Sequence, residues 1–192
     1  MKKYTQRLFL SALLILAMIL SACGSDIDSN MSEEMEDFSF INQDEEALAL
    51  ADLKGEWWIS YFSYTECRTV CPRTTANMVN VQNELKEAGL TPQIISFNAD
   101  PDDDRPEDLR LYAEENDVDL KSWDFLTGYD FETIQNLSEK SFNAVLESGA
   151  ADQMAHSYMF YLINPQGDVV KKYDGMSKNE LDVLIEDVKT VL

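Results

Sequence analysis

Cys67 and Cys71 are the pair whose types and spacing suggest chemistry, in the segment Tyr64-Thr65-Glu66-Cys67-Arg68-Thr69-Val70-Cys71-Pro72. A spacing of four lets one turn of chain bring the two sulfurs together, either as a disulfide or as two ligands on one metal ion. Pro72 marks the start of a helix, because proline suits the first helical turn, and it biases Cys71 away from helical torsions. Both sulfurs then lie at the positive end of that helix, and with Arg68 and Arg73 close by the thiols are expected to ionise readily. Spacing alone does not choose between a structural disulfide and a reactive or metal-binding pair.

His156 is the third residue of interest and the sole histidine of the chain. Taken alone, a histidine is more often packed or solvent-exposed than a ligand. Beside two thiolates it completes a set of two soft sulfurs and one imidazole, which suits copper. Zinc accepts the same donors, but a three-ligand zinc site also needs a catalytic water and a general base, and no motif supplies one. Met154 and Met159 offer thioethers near His156, although core packing explains them as well as it explains Trp57, Trp58 and Trp123. The acidic run 100–104 reads as a solvated loop with helix-start acids, or as a weak site for a hard cation.

The chemistry belongs outside the cytoplasm. Lys2, Lys3 and Arg7 precede an apolar run at 8–20, shorter than the about 20 residues a membrane-spanning helix needs, so the start reads as a secretion signal. Its end, Leu20-Ser21-Ala22-Cys23, has the form of a bacterial lipobox, which makes 1–22 a lipoprotein signal peptide and Cys23 a lipidated anchor. Two acyl chains hold a protein to a membrane durably where one does not. Cys67 and Cys71 are then the only thiols left to act. Net charge is −21 on 36 acidic and 15 basic residues, which excludes nucleic acid as a partner and favours cations or basic surfaces.

Residues 23–37 are polar and lack apolar periodicity, and read as a flexible tether; one compact domain is expected over 38–192. Within it, 57–62 is an aromatic-rich strand, 74–88 a helix ending at Gly89, and 93–97 a second strand, so the two strands should be parallel. A helix from 106 to about 116, a short apolar piece at 123–126 and a helix over about 131–146 follow. Strands at 157–163 and 168–173 flank Asn164-Pro165-Gln166-Gly167, a hairpin composition, and a last helix covers 178–192. That order gives an α/β, thioredoxin-like fold, with a central mixed sheet flanked by helices. In such a fold the loop before the hairpin, where His156 lies, faces the cysteine-bearing turn.

Tyr64 to Met78 (YTECRTVCPRTTANM) resembles the signature of the Sco family, in which C-x-x-x-C-P follows an aromatic strand and leads into a Thr-x-Asn-Met helix. The likeness continues through Ile95-Ser96-Phe97-Asn98-Ala99-Asp100-Pro101, Asp104-Arg105-Pro106, Trp123-Asp124-Phe125-Leu126-Thr127-Gly128 and His156-Ser157 to Tyr161. It implies that Cys67, Cys71 and His156 bind copper, as Cu(I), Cu(II) or both, and that Asp100 stands near the site. Asp100 read on its own is a turn or capping residue. Arg73-Thr74 and Ser63-Tyr64 depart from the more apolar residues of many relatives, yet leave the ligands intact.

Two functions are therefore expected. One is a copper metallochaperone on the extracytoplasmic face of the cell membrane, serving the CuA centre of cytochrome c oxidase subunit II. The alternative is a thiol-disulfide oxidoreductase in which Cys67 and Cys71 form the redox pair and reduce that subunit's cysteines. A peroxiredoxin-like peroxidase shares the fold but fits the paired cysteines poorly. A monomer is expected.

Overall fold

The structure, a computed structural model, describes residues 27–148 and 154–192. Its elements run β1 (Glu33–Glu34), β2 (Ser39–Ile41), β3 (Ala47–Ala49), α1 (Leu50–Leu53), β4 (Trp58–Ser63), α2 (Cys71–Glu87) and β5 (Gln93–Asn98). They continue with α3 (Pro106–Glu115), β6 (Trp123–Leu126), α4 (Phe131–Phe142), β7 (Leu146–Ser148), β8 (Met154–His156), β9 (Met159–Ile163), β10 (Asp168–Asp174) and α5 (Lys178–Val191). Six strands form one mixed sheet in the order β1-β10-β9-β4-β5-β6. β4, β5 and β6 are mutually parallel, whereas β9 joins β4, and β10 joins β9, in antiparallel pairs. This is the expected thioredoxin-like α/β arrangement.

β4 explains why the sheet sits at the centre. All six of its residues are buried, the mark of a strand covered on both faces. Side chains alternate across a strand, so Trp58 and Phe62 enter one core with Phe97, Phe142 and Tyr161, while Ile59 and Tyr61 enter the other with Met78, Leu85 and Trp123. α4 and the N-terminal segment cover the first face; α2, α3 and α5 cover the second. The parallel strands β4, β5 and β6 all end on one side of the sheet, and their ends carry the loops at Tyr64, Ala99 and Thr127. Open α/β sheets place their ligands on that side.

Three expectations need correction. The tether expected over 23–37 is not free along its described part: Glu33 and Glu34 pair with Asp168 and Val169, Met31 donates to the Val170 carbonyl, and Met35 is buried. Pairing covers the outer edge of β10, and a buried methionine anchors it, so the ordered domain begins before Phe38. The signal peptide and Cys23 lie outside the described residues. The helix expected over 131–146 stops at Phe142, because Asn143 adopts the left-handed conformation (φ 48°) and closes the helix through bonds from its own amide to Glu139 and from Ala144 to Ser138. Leu146 then opens β7, which pairs with β8 in a hairpin the sequence pattern did not reveal. The helical stretch read over 74–88 begins at Cys71, beside the Pro72 that marks its start, so Cys71 is itself helical despite the proline after it.

The N-terminal hairpin β2–β3 fastens the chain to the edge of the sheet beyond β6. Ile41 and Thr127 exchange backbone hydrogen bonds, and Gly128, with φ +84°, lies where an added Cβ would fall 2.6 Å from the Ile41 side chain. A side chain at 128 therefore strains the backbone and collides with the hairpin.

One polar atom in the sheet is unexplained by packing. The Ser60 hydroxyl is fully buried in β4 and has no hydrogen-bond partner among the described residues. A buried hydroxyl without a partner costs roughly 1–3 kcal/mol. Ser60→Ala should therefore leave stability unchanged or raise it by about 1 kcal/mol. Urea unfolding checks this, and a loss of more than about 1 kcal/mol would show that the hydroxyl is satisfied after all.

Candidate metal centre

The site begins where β4 ends. Tyr64 is buried, and the chain turns through 65–70 before entering α2. Val70 is the N-cap and gives no side-chain cap; Cys71 and Pro72 fill the first helical turn. The Cys67 sulfur takes up the vacant task, accepting a hydrogen bond from the Cys71 backbone amide at 3.3 Å. Helix starts leave amides unsatisfied and positive, so a sulfur that accepts there is stabilised as thiolate. Both cysteines are free and buried.

His156 arrives from the other side of the sheet centre. It ends β8 and lies just before β9, whose neighbour is β4. Its Nε2 is 3.2 Å from the Cys71 sulfur and 3.8 Å from the Cys67 sulfur, and its Nδ1 is 2.9 Å from the Ser157 carbonyl oxygen. A carbonyl can only accept, so Nδ1 carries a proton, and Nε2 is the ring atom turned to the sulfurs. The Tyr64 ring meets the imidazole edge to face at 5.5 Å and the Ser157 hydroxyl bonds Tyr161, which fixes the strand start.

The three donor atoms lie within 4.8 Å of one another. An ion bonded to sulfur at about 2.3 Å and to nitrogen at about 2.0 Å in a plane needs sulfur and nitrogen roughly 3.7 Å apart. The observed separations bracket that value, so the donor set fits a metal ion with little rearrangement.

Without metal the two thiols differ in acidity. The hydrogen bond from the Cys71 thiol, helped by His156 and by the Cys71 and Thr69 amides, pulls the Cys67 thiol far below the ordinary thiol range, against the opposing effect of its burial. Burial, followed by the neighbouring Cys67 sulfur, pushes Cys71 well above that range. Cys67 is thus the more acidic thiol of the pair and Cys71 the less acidic. A metal ion bound by both sulfurs displaces whatever thiol protons remain.

The expected help from Arg68 and Arg73 is not seen. Arg68 is exposed and paired with Glu66, and Arg73 donates to the Met176 carbonyl, so helix amides and Cys71 shift the thiol instead. Asp100 is buried in the turn after β5, where its amide donates to the Asn98 side chain and its carbonyl accepts from Asp103 and Asp104. It is not one of the three clustered donors. Met159 packs against the core, as do Trp58 and Trp123; the Met154 side chain lies outside the described residues. The acidic run is not uniformly solvated: Asp102 and Asp103 are exposed, whereas Asp104 is buried with its carboxylate on Thr65. An inward carboxylate in an acidic run leaves no periodic signal, and only its position before the helix-starting Arg105-Pro106 hinted at a special role.

The SCO1/SenC family model matches residues 28–192. The SCO1 protein homolog of Bacillus subtilis (strain 168) is 39% identical over 178 residues, covering 92% of this chain and 92% of its own. Among solved structures, that of BsSco, a member of the Sco family of cytochrome c oxidase assembly proteins in which a disulfide switch is identified, superposes with a TM-score of 0.79 and 38% identity, covering 86% of this chain and 96% of that one. Yeast Sco1 with copper bound gives a TM-score of 0.68 at 26% identity, over 83% and 91% of the two chains. A family model that runs from before the first paired strand to the last helix, and a relative matched along most of both chains, make this chain a member of the SCO1/SenC family.

Proposed function

We propose that the protein binds one copper ion through Cys67, Cys71 and His156 and delivers it to the CuA centre of cytochrome c oxidase subunit II. The observation that carries this reading is the convergence of two sulfurs and an imidazole nitrogen within 4.8 Å. Soft thiolates select copper, and relatives that bind copper or assist oxidase assembly share the fold. Copper is cargo here: the cysteines and histidine hold it, and the loop and hairpin that carry them present it at one end of the sheet. The lipobox at Cys23 supports an anchor on the extracytoplasmic face of the membrane, and no helix among the described residues is long and apolar enough to cross one.

A second reading is favoured by the Cys71 backbone amide, which stabilises the Cys67 sulfur as thiolate beside a second thiol. The Cys67 thiolate attacks a disulfide of the partner, forming a mixed disulfide and releasing one partner thiolate, which takes up a proton. Cys71 then loses its proton and attacks the Cys67 sulfur, so the partner leaves as a dithiol and Cys67–Cys71 remain as a disulfide. Two electrons pass to the partner. This path needs both cysteines but no metal on His156.

Two measurements follow. Titrating the reduced full chain with copper should show one tight equivalent with thiolate-to-copper absorbance. His156→Ala should weaken that binding by more than the roughly 10–100-fold typical of losing a mere outer partner of a ligand. Unchanged affinity in the variant would remove His156 from the site, and oxidase assembly that survives it would favour thiol reduction. In the metal-free chain, one thiol should react with iodoacetamide at pH 6 almost as fast as at pH 8, since Cys67 stays ionised below the usual thiol range of about 8.5 while Cys71 stays protonated. A rate that falls about tenfold per pH unit below 8 would contradict the assigned proton.

A further inference from the structure

Asp104 is buried, 4% exposed, yet no cation among the described residues pairs with it: the adjacent Arg105 turns outward to Glu107 and Asp108. Nor does it cap α3, since Arg105 is the N-cap and Asp108 answers its amide. Burying a carboxylate is costly unless donors compensate it. Here they come from Thr65, whose backbone amide donates to one carboxylate oxygen at 2.9 Å and whose hydroxyl donates to the other at 2.5 Å. Thr65 is two residues before Cys67.

The rest of Asp104 is tied down as firmly. Its amide donates to the Asp100 carbonyl at 3.0 Å and its carbonyl accepts from the Thr127 hydroxyl at 3.4 Å. Asp104 therefore bridges the loops that leave the ends of β4, β5 and β6, the three parallel strands. A carboxylate matches this place because the cysteine loop presents two donors side by side, and only a group with two acceptor oxygens answers both. From Thr65 to Cys67 there are two Cα steps of about 3.8 Å, so freeing Thr65 frees the Cys67 sulfur to drift from His156 and from the Cys71 amide.

We propose that Asp104 is a positioning residue for the metal and thiol site: through Thr65 it holds the cysteine loop so that the Cys67 sulfur stays in register with His156 and the start of α2. The inference rests on the reading of Cys67 as a ligand and reactive thiol, but not on copper being its cargo.

The test compares the full chain with Asp104→Ala, Asp104→Asn, Thr65→Val and Thr65→Ser. Circular dichroism and urea unfolding show which variants fold. In folded Asp104→Ala and Thr65→Val, copper affinity should fall at least tenfold and alkylation of the metal-free chain by iodoacetamide at pH 6 should slow at least tenfold. Thr65→Ser, which keeps both donors, should stay within threefold on both. Affinity and alkylation within threefold of the unaltered chain in Asp104→Ala would overturn the proposal. Should that variant not fold, Asp104→Asn, which keeps the volume and a single acceptor, decides by the same limits. If the unaltered chain binds no copper the metallochaperone reading fails, and the alkylation rate alone settles the role of Asp104.

Discussion

The hydrogen bond from the Cys71 amide to the Cys67 sulfur is the interaction on which the site depends. It joins the loop that leaves β4 to the first turn of α2, supplies the acceptor that Val70 does not, and stabilises negative charge on the sulfur that must bind or react. A helix that began later would leave both sulfurs on flexible chain, away from the backbone amides. The full burial of β4 gives the loop its fixed origin, because a strand held on both faces cannot tilt without opening two cores. The histidine then has only to meet a sulfur position already set from the other side.

The division of labour between the two arms follows from their anchoring. The cysteine arm is tied to strand ends by Asp104, to the core by Tyr64 and to helix α2 by its own backbone. The histidine arm depends on the Ser157 carbonyl and the short β7–β8 hairpin beside β9. Within one centre, therefore, the sulfurs sit on the element with more buried support and the imidazole on the one with less.

Much of this was legible in the chain itself. The cysteine spacing with Pro72, the aromatic run of β4 and the turn Asn164-Pro165-Gln166-Gly167 are local signals, and the corresponding elements are where those signals put them. The meeting of His156 with the cysteines, 85 residues on from Cys71, followed only once a thioredoxin-like order was assumed. What escaped depended on long-range partners. Glu33-Glu34 look like tether and become strand because β10 offers an open edge. Arg68 and Arg73 seem poised to activate thiols but find better partners in Glu66 and a carbonyl oxygen. Asp104 looks like one acid in a solvated run, yet the Thr65 donors that turn it inward lie 39 residues earlier.

The strong negative charge of the chain adds a constraint on how the site selects its ion. A net charge of −21 raises the concentration of every cation near the surface, and exposed carboxylates favour hard ions such as calcium and magnesium. Attraction of that kind cannot distinguish copper from its competitors. Discrimination has to come from the donors, and none of the three clustered ligand atoms belongs to a carboxylate. Cys67 and Cys71 are 5% and 0% exposed, so a hard ion drawn to the surface would have to give up its water for sulfur, an exchange it resists. The acidic exterior and the soft, buried interior therefore do separate work: the first gathers cations, and the second admits those that prefer thiolate and imidazole to water.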